Sequence, residues 1–137
     1  MIKTEPDGTK TICVDYFFPH SREKVWRALT QPELLAKWWA TGNIQPTEGH
    51  EFNLDMDNWG LIPCKMLKVN LTESLQFSFG KWTIVWQLKD ESSGTRLYLE
   101  QRGLDPNHPQ DKFAIEHMEP GWSDIVFPNL ENTLDEI

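Results

Sequence analysis

The densest group of potential ligands in the sequence is Asp55-Met56-Asp57-Asn58-Trp59-Gly60, whose spaced carboxylates invite comparison with a calcium-binding loop. Such a loop needs an oxygen donor at its fifth position and a bidentate glutamate at its twelfth, and Trp59 and Met66 stand there. The segment therefore reads as a solvated turn. The four histidines, His20, His50, His108 and His117, show no HxxxH or similar metal spacing and read as surface or loop residues. There is no GxSxG, no glycine-rich phosphate loop and no cysteine in a nucleophile motif, although a triad assembles from distant positions and needs no local motif. Cys13 and Cys64 make no CxxC pattern and no disulfide framework, so both thiols are expected to be reduced. No metal and no cofactor is expected, and no catalytic residue is assigned.

The aromatic residues are more informative. Seven Trp, seven Phe and two Tyr are many for this length. Alternation places Tyr16, Phe52, Phe77, Phe79, Trp82 and Trp86 on one face of a sheet, opposite Trp122 on a helix. Such a face is either a large core or the wall of a pocket, since pockets are lined by aromatics with a few placed polar groups. Gln101 falls on the same face, where a buried amide must find partners within the protein, in water or on a ligand. The candidate ligand-binding set is Tyr16, Trp38, Phe52, Cys64, Phe77, Trp86, Leu99, Gln101, Trp122 and Val126.

The elements that must position these residues follow from hydrophobic period. Residues 11–18 place Ile12, Val14, Tyr16 and Phe18 on one face, the mark of a half-buried strand. Pro19 ends it. Ser21 is a candidate N-cap for a short helix carrying Val25, Trp26 and Leu29, and Pro32 starts a second with Leu34, Leu35, Trp38 and Trp39. From Gly49 to Gly103 five turn-bounded strands follow as an antiparallel meander. Pro63 suggests an edge position or a bulge in the strand 61–69, and Glu91-Ser92-Ser93-Gly94 reads as a hairpin loop. Residues 103–110 are rich in breakers and read as a loop. Trp122, Ile125, Val126, Leu130 and Leu134 then repeat at helical spacing, with Pro120 as a start and Pro128 as an expected kink. The apolar face of the sheet must be covered, and the last helix is the element available to cover it.

At 137 residues the chain is read as one domain spanning 1–137. With 13 Lys plus Arg against 21 Asp plus Glu, the formal charge is −8, which argues against binding nucleic acid or anionic lipid. Met1 to Lys10 is polar and lacks the apolar core of a signal peptide, and no apolar run approaches the roughly 20 residues that span a bilayer, so a cytoplasmic protein with no membrane partner is expected.

The run VWRALTQPELLAKWW (25–39), the strand pair WTIVWQL and GTRLYLEQRG (82–103), and Gly121-Trp122 opening an apolar helix resemble, in order and spacing, the Aha-type family. That family is named for homology to an activator of the ninety-kilodalton heat-shock-protein ATPase and belongs to the START-related, helix-grip (SRPBCC) superfamily. The resemblance spans about residues 10–135. It implies an α+β helix-grip fold: a curved antiparallel six-stranded sheet wrapped around a long C-terminal helix, with two short helices after strand one. Residue placement points to a binding module that holds a small, largely apolar or amphipathic molecule (lipid-, flavonoid- or polyketide-like) between sheet and helix. The resemblance adds two alternatives: a protein-interaction module acting on a chaperone or other partner in a stress response, and a cyclase- or hydrolase-type enzyme using the same cavity.

Overall fold

In the computed structural model, which describes residues 1–137, the chain opens with β1 (Ile2–Thr4), laid antiparallel on β2 (Lys10–Phe18) with Ile2 opposite Ile12. Two short helices follow. In α1 (Arg22–Thr30) the Ser21 hydroxyl accepts from the Lys24 N–H at 3.3 Å, the expected cap. In α2 (Pro32–Trp38) the proline fills the first helical position, and the Trp38 indole N–H donates to the Ala28 carbonyl at 2.9 Å, locking the two helices together.

The meander then runs through β3 (Thr41–Gly42), β4 (Glu51–Asp55), β5 (Leu61–Asn70), β6 (Ser74–Phe79), β7 (Trp82–Glu91) and β8 (Gly94–Leu104). All eight strands form one antiparallel sheet in the order β1-β2-β8-β7-β6-β5-β4-β3. The sequence predicts six; β1 and β3 are the two additions. Both are held by backbone pairing and bury no side chain, so they leave no period-two signature. Pro63 also differs from expectation. β5 is an interior strand, and its register shift falls between Met66 and Lys68. Pro63 lies one residue beyond the last β5–β6 pair, Cys64 opposite Phe79, where its carbonyl accepts the Gly80 N–H at 2.9 Å and only the turn residue faces its missing N–H.

The hairpin at Ser92-Ser93 is as expected, with Glu91 opposite Gly94. Gly94 is required there: a Cβ would lie 2.3 Å from the Phe18 carbonyl oxygen of β2.

The C-terminal helix is longer than the sequence predicts. It begins at Pro109 and runs for 28 residues through α3 (Pro109–Gly121), a π-helical turn (Trp122–Val126) and α4 (Phe127–Glu136). The expected loop is thus confined to the turn around Asp105–His108, and Pro120 lies inside the helix. The apolar side of α3 is too broken by Lys112, Glu116 and His117 to show a clean helical period; Asp111 and Ala114 are its fully buried residues. Neither proline breaks the helix. At the π turn the Phe127 N–H donates to the Trp122 carbonyl, five residues back, and Pro128 follows directly. The wider turn makes room for a ring that would otherwise meet the carbonyl of residue 124. It also swings Ile125, expected on the apolar face, out to 62 % exposure.

The helix lies across the concave face of the sheet. Phe127, Leu130 and Leu134 of α4 join Phe18, Leu29, Leu35, Phe77, Trp86 and Leu97 in a continuous core.

Candidate functional site

Trp39 is the hub of the aromatic interior. Its ring lies 5.2 Å from Trp122, 5.5 Å from Trp86 and Phe79, 6.0 Å from Trp38 and 6.3 Å from Phe77. Four of the ten expected site residues, Trp38, Phe77, Trp86 and Trp122, therefore meet around it, and Phe52 joins them through Phe77 at 5.9 Å. Trp86 is fully buried among Trp38, Trp39 and Phe77, and its indole N–H has no hydrogen-bond partner. Leu99 is buried opposite Trp86 in the ladder. Cys64 is buried opposite Phe52, and burial pushes its thiol up to about 12. Tyr16 and Val126 are half-buried at the flank, with the Tyr16 ring 5.8 Å from Phe127 and its hydroxyl donating to Glu131 at 3.1 Å. These side chains pack on one another to form an aromatic interior.

Gln101, the tenth, is fully buried on β8. Its Oε1 accepts the Trp122 indole N–H at 3.1 Å, and its Nε2 donates to the Met118 sulfur at 3.3 Å. The amide thus ties β8 to both α3 and the π turn.

A cavity of about 120 Å³ opens beside this interior, where α3 passes over the ends of the strands. Ile62, Phe79 and Trp82 form its sheet wall, and α3 contributes Gln110, Phe113, Ala114 and Met118. Met56 and Trp59 close it from the turn between β4 and β5. Eight of these nine residues are apolar and none is titratable. Trp59 and Phe113 stand at the mouth, 58 % and 51 % exposed, with ring centroids 6.3 Å apart. Phe113 also packs against His117 at 4.2 Å.

Beside the cavity wall, Asp111 is buried on the first turn of α3. It pairs with Lys81 at 2.7 Å and accepts the Asp105 N–H at 2.8 Å. Burial alone would raise its carboxyl, but the contacts with Lys81 and Asp105 outweigh that and hold it below the ordinary value. The buried Trp82 indole N–H turns toward the same carboxylate without completing a hydrogen bond.

None of the ten expected residues lines this cavity. Phe79 and Trp82, which alternation puts on the inner face, do. Trp59 belongs to the segment that reads as a solvated turn, and Phe113, Ala114 and Met118 lie on the helix segment that the breaker-rich sequence hides. The acidic turn folds on itself, with Asp55 Oδ1 accepting the Asp57 N–H at 3.0 Å, and no group of His, Cys, Asp and Glu gathers to hold a metal ion. The histidines are dispersed: His20 contacts Asp135 and His50 contacts the Asn43 carbonyl. Both cysteines are free, and no helix is long and apolar enough to cross a membrane.

Residues 19–135 match the family model described as "Activator of Hsp90 ATPase homolog 1-like protein". Among solved structures, protein MLL2253 from Mesorhizobium loti is similar at 31 % identity and a TM-score of 0.81, over 92 % of this chain and 97 % of that one. Protein BH1534 from Bacillus halodurans is similar at 26 % identity and a TM-score of 0.79, over 90 % and 96 % of the two chains. DynU16, a protein in the dynemicin biosynthetic locus, shares the fold at 20 % identity and a TM-score of 0.77, over 91 % of this chain and 47 % of that one. No curated protein matches the chain significantly.

Proposed function

Since the chain belongs to the family of activator of Hsp90 ATPase homolog 1-like proteins, with its helix-grip fold, we propose that it binds a small, largely apolar or amphipathic molecule between α3 and the sheet. The observation that carries this reading is the cavity beside Trp82 and Met118, walled by apolar side chains on both sides and open at Trp59 and Phe113. The sheet and α4 already fill the interior around Trp39 with side chains, so the room for a guest lies at the α3 end of the grip. Burying about 250 Å² of apolar ligand surface contributes about 6 kcal/mol before association costs, which leaves micromolar to millimolar affinity for a generic guest. The apolar walls on both sides suit the rings of a flavonoid- or polyketide-like molecule. The protein of the dynemicin biosynthetic locus shares the fold alone and does not specify a ligand here.

The test is a titration with a flavonoid such as naringenin, followed by amide NMR signals. Joint movement of Ile62, Phe79, Trp82, Ala114 and Met118 is expected. Shifts confined to exposed loops would overturn the reading.

A second reading draws on one observation: the mouth itself exposes apolar rings, with Trp59 and Phe113 both more than half exposed. Such a surface suits docking on a protein, in keeping with the activator role in the family's description. Stimulation of a ninety-kilodalton chaperone ATPase by the native protein, lost in Trp59→Ser, would favour docking over ligand binding.

A further inference from the structure

Met118 stands between two environments. Its side chain lines the cavity, and its sulfur is the acceptor for Gln101 Nε2 at 3.3 Å. The other end of that amide is fixed, because Oε1 accepts the Trp122 indole N–H at 3.1 Å. The orientation of Gln101 is therefore set by a good donor, and its NH₂ must face Met118. A thioether is a weak acceptor, so this fully buried amide spends one of its two N–H donors on a poor partner. A methionine side chain has several rotatable bonds and moves aside readily.

We propose that Gln101 is the specificity-determining residue of the cavity and that Met118 is a displaceable plug over it. A guest with a neutral oxygen acceptor at its leading edge, a ketone or similar carbonyl, displaces the sulfur and takes the Gln101 N–H. The proposal rests on the cavity being a ligand site. It also defines what the deep end rejects. A carboxylate finds no cation there, since no lining residue is basic and the neighbouring Lys81 is paired with Asp111.

The probes are 1-indanone and indane, which share a bicyclic frame and differ by a carbonyl in place of a methylene. Each is titrated into the wild-type protein, Gln101→Leu and Met118→Leu, with the amide signals of Trp82, Ala114 and residue 118 followed. Both probes are expected to move these signals in the wild type. Gln101→Leu should weaken 1-indanone about five- to tenfold relative to indane, the worth of one hydrogen bond. Met118→Leu keeps the apolar volume and the Trp122 bond but removes the sulfur, so 1-indanone should tighten relative to indane. This variant decides the matter even if Gln101→Leu unfolds. The C=O stretch of bound 1-indanone should lie lower in frequency in the wild type than in Gln101→Leu. An unchanged ratio of the two affinities in Met118→Leu, with the carbonyl stretch of the bound ketone as in an apolar solvent, overturns the role of Gln101 and leaves the cavity reading standing. Absence of cavity shifts with either probe overturns the cavity reading itself, and this proposal with it.

Discussion

The indole N–H of Trp122 donates to Oε1 of Gln101 at 3.1 Å, joining the C-terminal helix to β8 through two buried side chains. The bond bridges the two layers of the fold, so it fixes the rotation of the helix over the sheet as well as its distance. Replacing Trp122 by Phe keeps an aromatic ring but strands the amide oxygen. A loss of about 1–3 kcal/mol in urea melts is expected. In a double-mutant cycle with Gln101→Leu, the second change should cost less than it does alone. Additive losses would show that the bond carries no coupling.

Asp111 is expected to make stability depend on acid. Its carboxyl titrates lower in the folded chain than its usual 3.8, so ionisation favours the fold. The contribution is full above the ordinary carboxylate range and is lost as pH falls through the folded value. Asp111→Asn should therefore cost stability at pH 7, about 1–2 kcal/mol given that Lys81 is half exposed and well screened. The gap between variant and wild type should close in acid. Melts at pH 7 and pH 3 with the same gap would contradict this.

The two thiols should differ in reactivity. Burial pushes Cys64 up to about 12, and burial followed by the Glu100 charge raises Cys13, which is half-buried. In the native protein at pH 8, a thiol reagent should modify Cys13 first and leave Cys64 protonated and intact. In denaturant both should react at ordinary rates. Rapid native modification of Cys64, read by peptide mass, would mean that β5 opens locally.

Pro128→Ala is expected to change stability by less than about 0.5 kcal/mol. A proline inside a regular helix normally costs a bond and a kink. Here the π turn already absorbs the misfit, so restoring an N–H at residue 128 gains little. A clear gain in urea melts would show that the proline strains the helix.

Most of the sheet is legible because half of it is wet. Phe52, Leu54, Phe77, Trp86 and Leu99 alternate with exposed or half-exposed neighbours, and that contrast is what period-two reading detects. β1 has no such contrast, since Ile2, Lys3 and Thr4 are all exposed. The helix start is hidden by a different cause. Pro109 looks like a breaker in a run that already holds Gly103 and Pro106, whereas at the first helical position it is a starter. That one ambiguity displaces the site, because four of the nine cavity-lining residues lie between Gln110 and Met118. The aromatic face is legible as a face. Whether its rings enclose space depends on how Trp39 nests among them, and strand parity carries no such information.

The π turn gives the helix two phases. An inserted residue rotates all that follows by about 100° relative to a regular helix. The apolar stripe of α4 is thus set independently of that of α3, the first sealing the aromatic interior and the second roofing the cavity. Drift at Phe113, Ala114 or Met118 can reshape the cavity without disturbing Phe127, Leu130 and Leu134, which hold the fold together. The most damaging lesion is then a frame-preserving loss of one residue between Trp122 and Val126. It would restore an ordinary helix and turn the α4 stripe away from the sheet.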